Sequence, residues 1–280
     1  MIANTADDDE FWGLWVSPDV DAVLYRLAGW FNEESGYGVK DDSFHALEIL
    51  GRLGEPTWFR IGDKDLATHL VRAEMLRRGC RLTETSLELC RRLGLETRVL
   101  PMTDETVRTR FVSDRGELSF QEYFVRERLA PLLRSIHFTG IDHARPTREV
   151  LSALAEADLI VIGPSNPLIS IDPILTVVGP HLPRERTVAI TPIVGGLALK
   201  GPTVEMLRAL GFEPSPVEVA RRYQDVAHAF VLDRRDGHLA SAIEQVGYRV
   251  IVCDTVMNDG GAGLAASILE AFGGGADERS

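Results

Sequence analysis

The chain has 280 residues, of which 45% are hydrophobic and 26% charged, enough for one large α/β domain with a sizeable core. Its formal net charge of −12 excludes a surface built to follow a nucleic acid, because such a surface needs a basic face. Three cysteines without CxxC spacing, no signal peptide and no apolar run of membrane-spanning length predict a soluble, cytoplasmic protein.

The first residues, MIA, read as the end of a core strand that leads into the acidic sequence NTADDDE at residues 4–10. A doubly wound domain normally opens with a complete strand, a glycine-rich turn and a helix, so we expect a missing segment upstream of Asn4. Asp7, Asp8 and Asp9 end this strand, and SPDVD at residues 17–21 begins a helix, which brings two acidic groups face to face. Paired carboxylates near phosphate suit Mg²⁺. Solvated loop acids with an N-capping aspartate are the alternative.

Residues 58–61 (WFRI) predict a strand, and residues 64–78 predict a helix that begins with acidic side chains and ends with basic ones. The apolar stripe of this helix is formed by Leu66, Leu70, Ala73 and Leu76. Arg60 and the helix start then emerge at the same sheet edge, where they can hold an anion or a ligand hydroxyl. The alternative is structural: Asp63 caps the helix and His69 packs beside the stripe.

Short runs rich in Val and Ile alternate with helical patterns and predict a largely parallel sheet, with strands at 97–102, 159–162, 187–193, 230–232 and 249–253. The alternating pattern around Asp114-Arg115-Gly116 predicts a hairpin. We therefore expect a single α/β domain over residues 1–272, with a small hairpin-containing insertion at about 103–145. Residues 273–280 predict a flexible tail.

Two loops with glycine and proline follow buried strands, GPSNPLISI at 163–171 and TPIVGG at 191–196. Gly163 can take a conformation closed to other residues, while Ser165 and Asn166 supply short polar groups where a following helix exposes N–H donors to phosphate. An ordinary serine-capped turn is the alternative. Lys200 fits either a phosphate contact or an exposed lysine. No complete GxGxxG, GxxxxGKS/T, GxSxG or HExxH occurs, so the usual dinucleotide, P-loop, esterase and zincin interpretations have no support.

The chain resembles the 2-phospho-L-lactate transferase family in five sequences that occur in the same order: NTADD at 4–8, SPDVD at 17–21, GDKDLATH at 62–69, GPSNP at 163–167 and TPIVGG at 191–196. It departs from the family at the front, where the family begins with a strand and a GGTG-type loop. The resemblance implies a Rossmann-like α/β fold, with a mostly parallel sheet and helices on both faces. It also implies transfer of a 2-phospho-L-lactate or phosphoenolpyruvate group from a guanosine-diphosphate-activated donor to the deazaflavin Fo. GMP is released, Mg²⁺ assists, and the product belongs to coenzyme F-420 biosynthesis.

The resemblance also implies roles for individual residues and a homodimer. Asp21 and Arg60 match positions assigned to Fo, and we expect Asp21 to orient the attacking hydroxyl, as a base or through the metal. Asp8 and Asp21 are the expected metal ligands. Ser165 and Asn166 are expected to face the donor phosphate. The remaining expected substrate-binding residues are Asp63, Thr191 and Gly195.

Two other functions remain open on the sequence. A nucleotide-sugar-binding regulatory protein, similar to the gluconeogenesis factor family, shares this general fold, and the Fo-contacting pair Asp21 and Arg60 argues against it. An inactive, truncated paralogue keeps the core without the phosphate-binding loop, and titration with GDP and Mg²⁺ separates it from both. The acid carried by the donor is left undetermined, because lactate, enolpyruvate and glycerate differ by few atoms.

Overall fold

The computed structural model describes residues 1–273, which form two compact units. Unit 1 comprises Met1–Ser152 and Pro173–Val178, and unit 2 comprises Ala153–Asp172 and residues 179–273. The single domain expected over residues 1–272 stays a prediction. The tail expected at 273–280 lies, from residue 274 on, outside the described residues.

Unit 1 begins with short strands and helices and continues into an antiparallel sheet. Its elements are β1 (Ile2–Ala3), β2 (Asp9–Phe11), β3 (Leu14–Val16), α1 (Pro18–Leu27), α2 (His45–Arg52), α3 (Asp63–Arg77), α4 (Leu82–Arg92), β4 (Leu100–Pro101), β5 (Arg108–Ser113), β6 (Gly116–Ser119), a π-helical turn (Glu122–Arg126), β7 (Leu133–Thr139) and a 3₁₀ turn (Ile141–His143). The chain passes into unit 2 within α5 (Arg148–Glu156).

Unit 2 alternates strands with helices. Its elements, with α6 returning the chain briefly to unit 1, are β8 (Ile160–Ile162), a π-helical turn (Pro167–Ile171), α6 (Asp172–Val178), 3₁₀ turns (Gly179–His181 and Arg184–Arg186), β9 (Thr187–Ile190), β10 (Ile193–Val194), β11 (Leu197–Ala198), α7 (Thr203–Ala209), α8 (Pro216–Tyr223), β12 (Ala229–Asp233), a 3₁₀ segment (Arg234–Leu239), α9 (Ala240–Val246), β13 (Arg249–Cys253) and α10 (Ala262–Gly273).

The sheet of unit 2 has the strand order β13-β12-β9-β8, and every neighbouring pair is parallel. The two central strands, β9 and β12, are buried throughout, with Val188, Ala229 and Val231 fully enclosed in one core cluster, while the edge strands β8 and β13 are partly exposed. The α/β class with a parallel sheet and helices on both sides is therefore confirmed. No helix within residues 1–273 is both long and apolar enough to cross a membrane.

The strands of unit 1 position the acidic loop and the predicted hairpin. β1 pairs in parallel with β4, which confirms that the first residues belong to a strand. The antiparallel sheet has the order β6-β5-β7, and the pairing of Ser113 with Gly116 leaves Asp114 and Arg115 as the predicted turn. A second hairpin, β2–β3, turns at Trp12 and Gly13, which both have positive φ as a type I′ turn requires.

Three local predictions for unit 1 are wrong. Residues 58–61 form no strand, because the Phe59 ring stacks on Phe11 with 3.8 Å between centroids and holds the segment as a loop. The predicted apolar stripe of α3 is wrong at Leu70, which is half exposed; the helix buries Ala73 of the stripe together with His69 and Arg72. Asp63 does not cap its own helix. It accepts hydrogen bonds from the backbone N–H groups of His45 and Ala46 and so caps α2.

Candidate active site

The loop between β1 and β2 is acidic and buried, and Asn4 organises it. The Asn4 Nδ2 donates to Asp7 Oδ2 at 3.1 Å and to Asp19 Oδ2, at the start of α1, at 2.8 Å. Asp7 Oδ1 accepts a further hydrogen bond from the Thr109 hydroxyl at 2.6 Å. The expectation that carboxylates of the loop and the helix start face one another is therefore met by Asp7 and Asp19.

Asp8 has one satisfied carboxylate oxygen and one unsatisfied one. Its Oδ2 accepts from Trp15 Nε1 at 2.8 Å and from the Ser17 hydroxyl at 2.7 Å. Its Oδ1 is buried and has no hydrogen-bond partner among residues 1–273. Burial raises the pKa of Asp8 to about 7, although these hydrogen bonds and the nearby Arg72 and Arg108 oppose the shift.

The whole acidic loop has too little positive charge around it. Burial raises the pKa of Asp7 well above its usual value, and the nearby Asp19 carboxylate raises it further. Burial likewise raises the pKa of Asp19. Like charges in a poorly hydrated loop disfavour ionisation of each other, so a bound cation would stabilise this arrangement.

Asp21 lies on the buried face of α1 and is ion-paired with Arg72 of α3. The Arg72 Nη2 donates to Asp21 Oδ1, and Nη1 donates to Asp21 Oδ2 at 3.1 Å, a bidentate pair. Burial alone would lower the pKa of Arg72, but the Asp21 carboxylate more than offsets this and holds the pKa above its usual value. Arg72 is thus a fixed cation between Asp21 and the acidic loop.

Arg60 lines a cavity of about 280 Å³ in unit 1, together with Asp65 and the loop at residues 32–44. Its guanidinium lies over the Phe44 ring, 4.5 Å from the centroid, which orients the cation at the cavity wall. Asp42, also in the wall, accepts from the backbone N–H groups of Lys64 and Asp65 and so caps α3. A side chain at Gly62 would overlap this carboxylate and displace it from the cap.

The predicted substrate-binding residues of unit 2 lie in two loops, in which Asn166, Thr191 and Gly195 form hydrogen bonds within unit 2. Ser165 is exposed, and Asn166 caps the following turn by accepting from Leu168 N at 2.9 Å. Thr191 is fully buried and donates its hydroxyl to Ile193 O within its own turn, while Gly195 N donates to Asp236 Oδ2. Gly163 is not among the residues with positive φ, so the special conformation expected there is wrong. Contact of these loops with a substrate stays a prediction.

The residues expected to hold Mg²⁺ fit the ion in part. Within residues 1–273, no group of three or more His, Cys, Asp or Glu side chains is arranged as a complete metal site. Magnesium needs only one or two protein carboxylates when water and substrate phosphate supply its other ligands. The unsatisfied Asp8 Oδ1 is such a ligand, whereas both oxygens of Asp21 already accept from Arg72.

Several residues that shape this site were not found from the sequence as functional. They are Asn4, Asp19, Thr109, Arg108 and Arg72. His69 was noticed, but it was interpreted as a packed histidine without a functional role. Arg108 lies over the Trp15 ring at 4.4 Å and, among residues 1–273, donates only to Val107 O, so in this part of the chain its guanidinium keeps further donors beside Asp8. A lone arginine in a strand or a helix carries no sequence signal for this placement.

Comparison with known proteins supports the family resemblance. A family model described as 2-phospho-L-lactate transferase CofD matches residues 1–262. The 2-phospho-L-lactate transferase of Methanopyrus kandleri is 41% identical over 266 residues, which cover 92% of this chain and 84% of that protein. The phosphoenolpyruvate transferase of Kitasatospora aureofaciens is 38% identical over 269 residues, with the same two shares.

The fold is also similar to that of a solved structure. A crystal structure of a UPF0052 family protein from Bacillus halodurans matches 90% of this chain and 83% of its own, with a TM-score of 0.53 and 16% identity. At this identity the likeness supports the fold alone. The extent of the family match and the identity to the curated relatives show that the chain belongs to the 2-phospho-L-lactate transferase CofD family.

Proposed function

We propose that the chain transfers a 2-phospho-L-lactate or phosphoenolpyruvate group from a guanosine-diphosphate-activated donor to the deazaflavin alcohol Fo. The terminal ribityl hydroxyl attacks the phosphorus that bears the acid, the new O–P bond forms, and the bond to the GMP oxygen breaks. The product belongs to coenzyme F-420 biosynthesis. Family membership supports the class of reaction, and the buried carboxylates beside Arg72 are the observation that carries the choice of site.

Asp21 is the residue we propose to orient the attacking hydroxyl. Arg72 occupies one lone pair on each Asp21 oxygen, and each oxygen keeps a second lone pair that can accept from an alcohol. A carboxylate held by a bidentate guanidinium cannot rotate freely, so the hydroxyl it accepts is presented in a fixed direction. Arg60, stacked on Phe44 in the cavity wall, supports the ring system or side chain of the same acceptor.

Arg108, together with Mg²⁺ held by Asp8, would supply the positive charge that the donor diphosphate needs. Asp8 would hold the ion through its unsatisfied Oδ1, whereas Asp21, the other expected ligand, is already paired with Arg72 through both oxygens. When bound, the ion neutralises charge on the transferring phosphoryl group. Arg108, which donates only to Val107 O within the described residues 1–273, lies beside Asp8 and can bind a phosphate or carboxylate oxygen of the donor.

The proposed reaction is tested by incubating the purified chain with Fo and MgCl₂ and, in turn, each guanylated donor, carrying lactate, enolpyruvate or glycerate. Product mass identifies the transferred group, and released GMP confirms the bond that breaks. We expect product with at least one donor. Absence of product with all three, alongside tight GDP binding, would instead favour the nucleotide-binding regulatory protein.

Asp21→Asn tests the assigned role within the same assay. We expect turnover to fall by about 10²–10⁴-fold, because the amide cannot orient and deprotonate the alcohol as a carboxylate does. A thermal unfolding curve checks that the variant is folded, and Glu33→Gln, an exposed acidic substitution in unit 1, is the control. Parent-like turnover by Asp21→Asn would remove Asp21 from the mechanism.

The expected homodimer stays a prediction, which sedimentation equilibrium can check.

A further inference from the structure

A continuous line of hydrogen bonds joins the Arg60 cavity to Asp21. Asp65 Oδ1, in the cavity wall, accepts from the Tyr25 hydroxyl at 2.7 Å and lies 3.0 Å from His69 Nε2. On the other side of the imidazole, Arg72 Nη1 lies 3.1 Å from His69 Nδ1. The same Nη1 donates to Asp21 Oδ2 at 3.1 Å. The line is Asp65, His69, Arg72 and Asp21.

The chemistry of the partners fixes the direction of each hydrogen bond. A guanidinium has donors only, so His69 Nδ1 must accept from Arg72. The ring proton therefore lies on Nε2 and is donated to Asp65. His69 and Arg72 are each 1% exposed, so no solvent competes for these hydrogen bonds.

The two ends of the line differ in what they can still bind. Both contacts to Asp65 use Oδ1, and no group within residues 1–273 donates to Asp65 Oδ2. The side chain of Asp65 is 17% exposed, at the wall of the cavity. Oδ2 is thus available to a hydroxyl or N–H group of a bound ligand, while the buried end holds Asp21.

We propose that Asp65 binds a hydroxyl of the acceptor alcohol through Oδ2, and that His69 and Arg72 are positioning residues that hold Asp21 in register with it. The inference rests on the proposed function, in which Asp21 orients the attacking hydroxyl. His69 fixes the Nη1 end of the guanidinium, and the fixed guanidinium fixes both oxygens of Asp21. The acceptor is therefore bound at one end of a rigid line and activated at the other.

Substitution of His69 by Asn or Gln tests its hydrogen bonds to Arg72 and to Asp65 one at a time. In His69→Asn, the amide oxygen takes the place of Nδ1 and still accepts from Arg72. In His69→Gln, the amide nitrogen takes the place of Nε2 and still donates to Asp65, but Arg72 loses its acceptor. Because Arg72 is what touches Asp21, we expect the Gln variant to lose about 10–100-fold in kcat and the Asn variant to recover most of it.

The KM for the acceptor should change little in either His69 variant and should rise in Asp65→Asn. That substitution keeps an oxygen for Tyr25 and His69 but replaces Oδ2 by an amide donor, so we expect a KM about tenfold higher with kcat nearly unchanged. The matched control is Arg77→Gln, an exposed arginine of the same helix, which should change neither constant.

Three results would overturn the proposal: parent-like kcat in His69→Gln, equal losses of kcat in the Gln and Asn variants, or an unchanged acceptor KM in Asp65→Asn. If the His69 variants do not fold, the acceptor KM of Asp65→Asn still tests whether Asp65 binds the acceptor. Arg72→Lys keeps the charge without the fork of the guanidinium, and its kcat tests whether Arg72 positions Asp21.

A second measurement does not depend on the reaction. The ¹⁵N chemical shifts of the His69 ring, assigned by their loss in His69→Gln, should show a proton on Nε2 and an unprotonated Nδ1. The opposite tautomer would overturn the line of hydrogen bonds even if the parent transfers the proposed group. Conversely, the expected tautomer in a parent that forms no product would reject the proposed function and, with it, the role of Asp65 as an acceptor contact.

Discussion

Unit 1 and unit 2 each have a buried aspartate at or after the carboxyl end of a parallel strand, yet the pKa values of the two carboxylates are shifted in opposite directions. Asp233, at the end of β12, is 1% exposed, and Asp8, after β1, is 2% exposed. Burial by itself favours a raised pKa for both carboxyl groups. For Asp233, the hydrogen bonds from Arg235 N and Thr255 more than offset this effect, and the net pKa is lowered. The pKa of Asp8 is raised to about 7.

The difference comes from where the backbone N–H groups point. Asp233 accepts from two of them, Arg235 N and Thr255 N, and from the Thr255 hydroxyl as well. In the acidic loop of unit 1, Ala6 N donates to Asn4 and Asp8 N donates to Thr5 O, so neither serves Asp8. A satisfied carboxylate stabilises a turn, whereas an unsatisfied one keeps binding capacity for a cation or substrate.

The largest expected effect concerns the buried cation of unit 1. Arg72→Met leaves Asp21 buried without its ion pair, which should lower the free energy of unfolding by about 3–5 kcal/mol in urea titrations. The matched variant in unit 2 is Arg235→Met, whose exposed side chain is 3.7 Å from Asp233 and should contribute less than about 1 kcal/mol.

The double variant Asp21→Asn/Arg72→Met identifies the cause. If the loss comes from an unpaired buried charge, the double variant should be more stable than Arg72→Met alone. A double variant as unstable as the single one would mean that lost packing, not charge, accounts for the effect, and the contrast between the units would weaken accordingly.

The comparison itself is tested by the same substitution in both units. At pH 8, Asp233→Asn should destabilise the fold by about 1–3 kcal/mol, because one acceptor oxygen becomes a donor facing donors. Asp8→Asn should stabilise it by a similar amount, because it removes a buried charge. The folded pKa of Asp8, about 7, lies above the unfolded value of 3.8, so its contribution to stability is full below 3.8 and is lost as pH rises through 7.

The gain from Asp8→Asn should therefore be larger at pH 8 than at pH 5, and MgCl₂ should reduce it by stabilising the parent alone. Thermal unfolding at pH 5 and pH 8, each with and without about 5 mM MgCl₂, measures both effects; this concentration is chosen to occupy a weak site with oxygen ligands. Equal destabilisation by the two substitutions at pH 8 would contradict the distinction drawn between Asp8 and Asp233.

Sequence patterns predicted the sheet of unit 2 well because a parallel strand buried on both faces needs a continuous apolar run. Phe230 to Leu232 lies in such a fully buried strand, and the apolar run within Arg249 to Cys253 was also found, although this edge strand is partly exposed. The loop at residues 58–61 was missed for the opposite reason. Its aromatic side chains match a strand pattern but stack on the β2–β3 hairpin instead, a tertiary contact that no local pattern contains.

The site was predicted where it depends on strand ends and helix starts, and missed where it depends on distant pairs. The acidic loop, the start of α1 and Arg60 were singled out from their local positions, and the resemblance added the roles expected for Asp8, Asp21 and Arg60. The ion pair of Arg72 with Asp21 joins residues 51 positions apart, and an arginine inside a helix normally faces solvent. His69 was interpreted as packed, which is right for its burial but gives no hint of its two partners.

Unit 2 has an intermediate case, Asp172 at the start of α6, for which we expect a smaller effect than for Asp8 or Asp233. Burial raises its pKa to about 6, and the Arg222 guanidinium, 3.2 Å away, only partly opposes the shift. Because the folded pKa exceeds the unfolded value of 3.8, the contribution to stability is full below pH 3.8 and is lost as pH rises through 6.

The free energy of unfolding of Asp172→Asn, relative to the parent, should therefore rise by about 1–2 kcal/mol between pH 4 and pH 7. The control is Asp254→Asn, an exposed carboxylate 3.4 Å from Arg234, which should change the free energy of unfolding by less than about 1 kcal/mol. Urea titrations at half-unit pH steps measure both. If Asp172→Asn follows the parent at every pH, the contacts of Asp172, the Arg222 ion pair among them, fully compensate its burial, whereas the acidic loop of unit 1 leaves its carboxylates undercompensated.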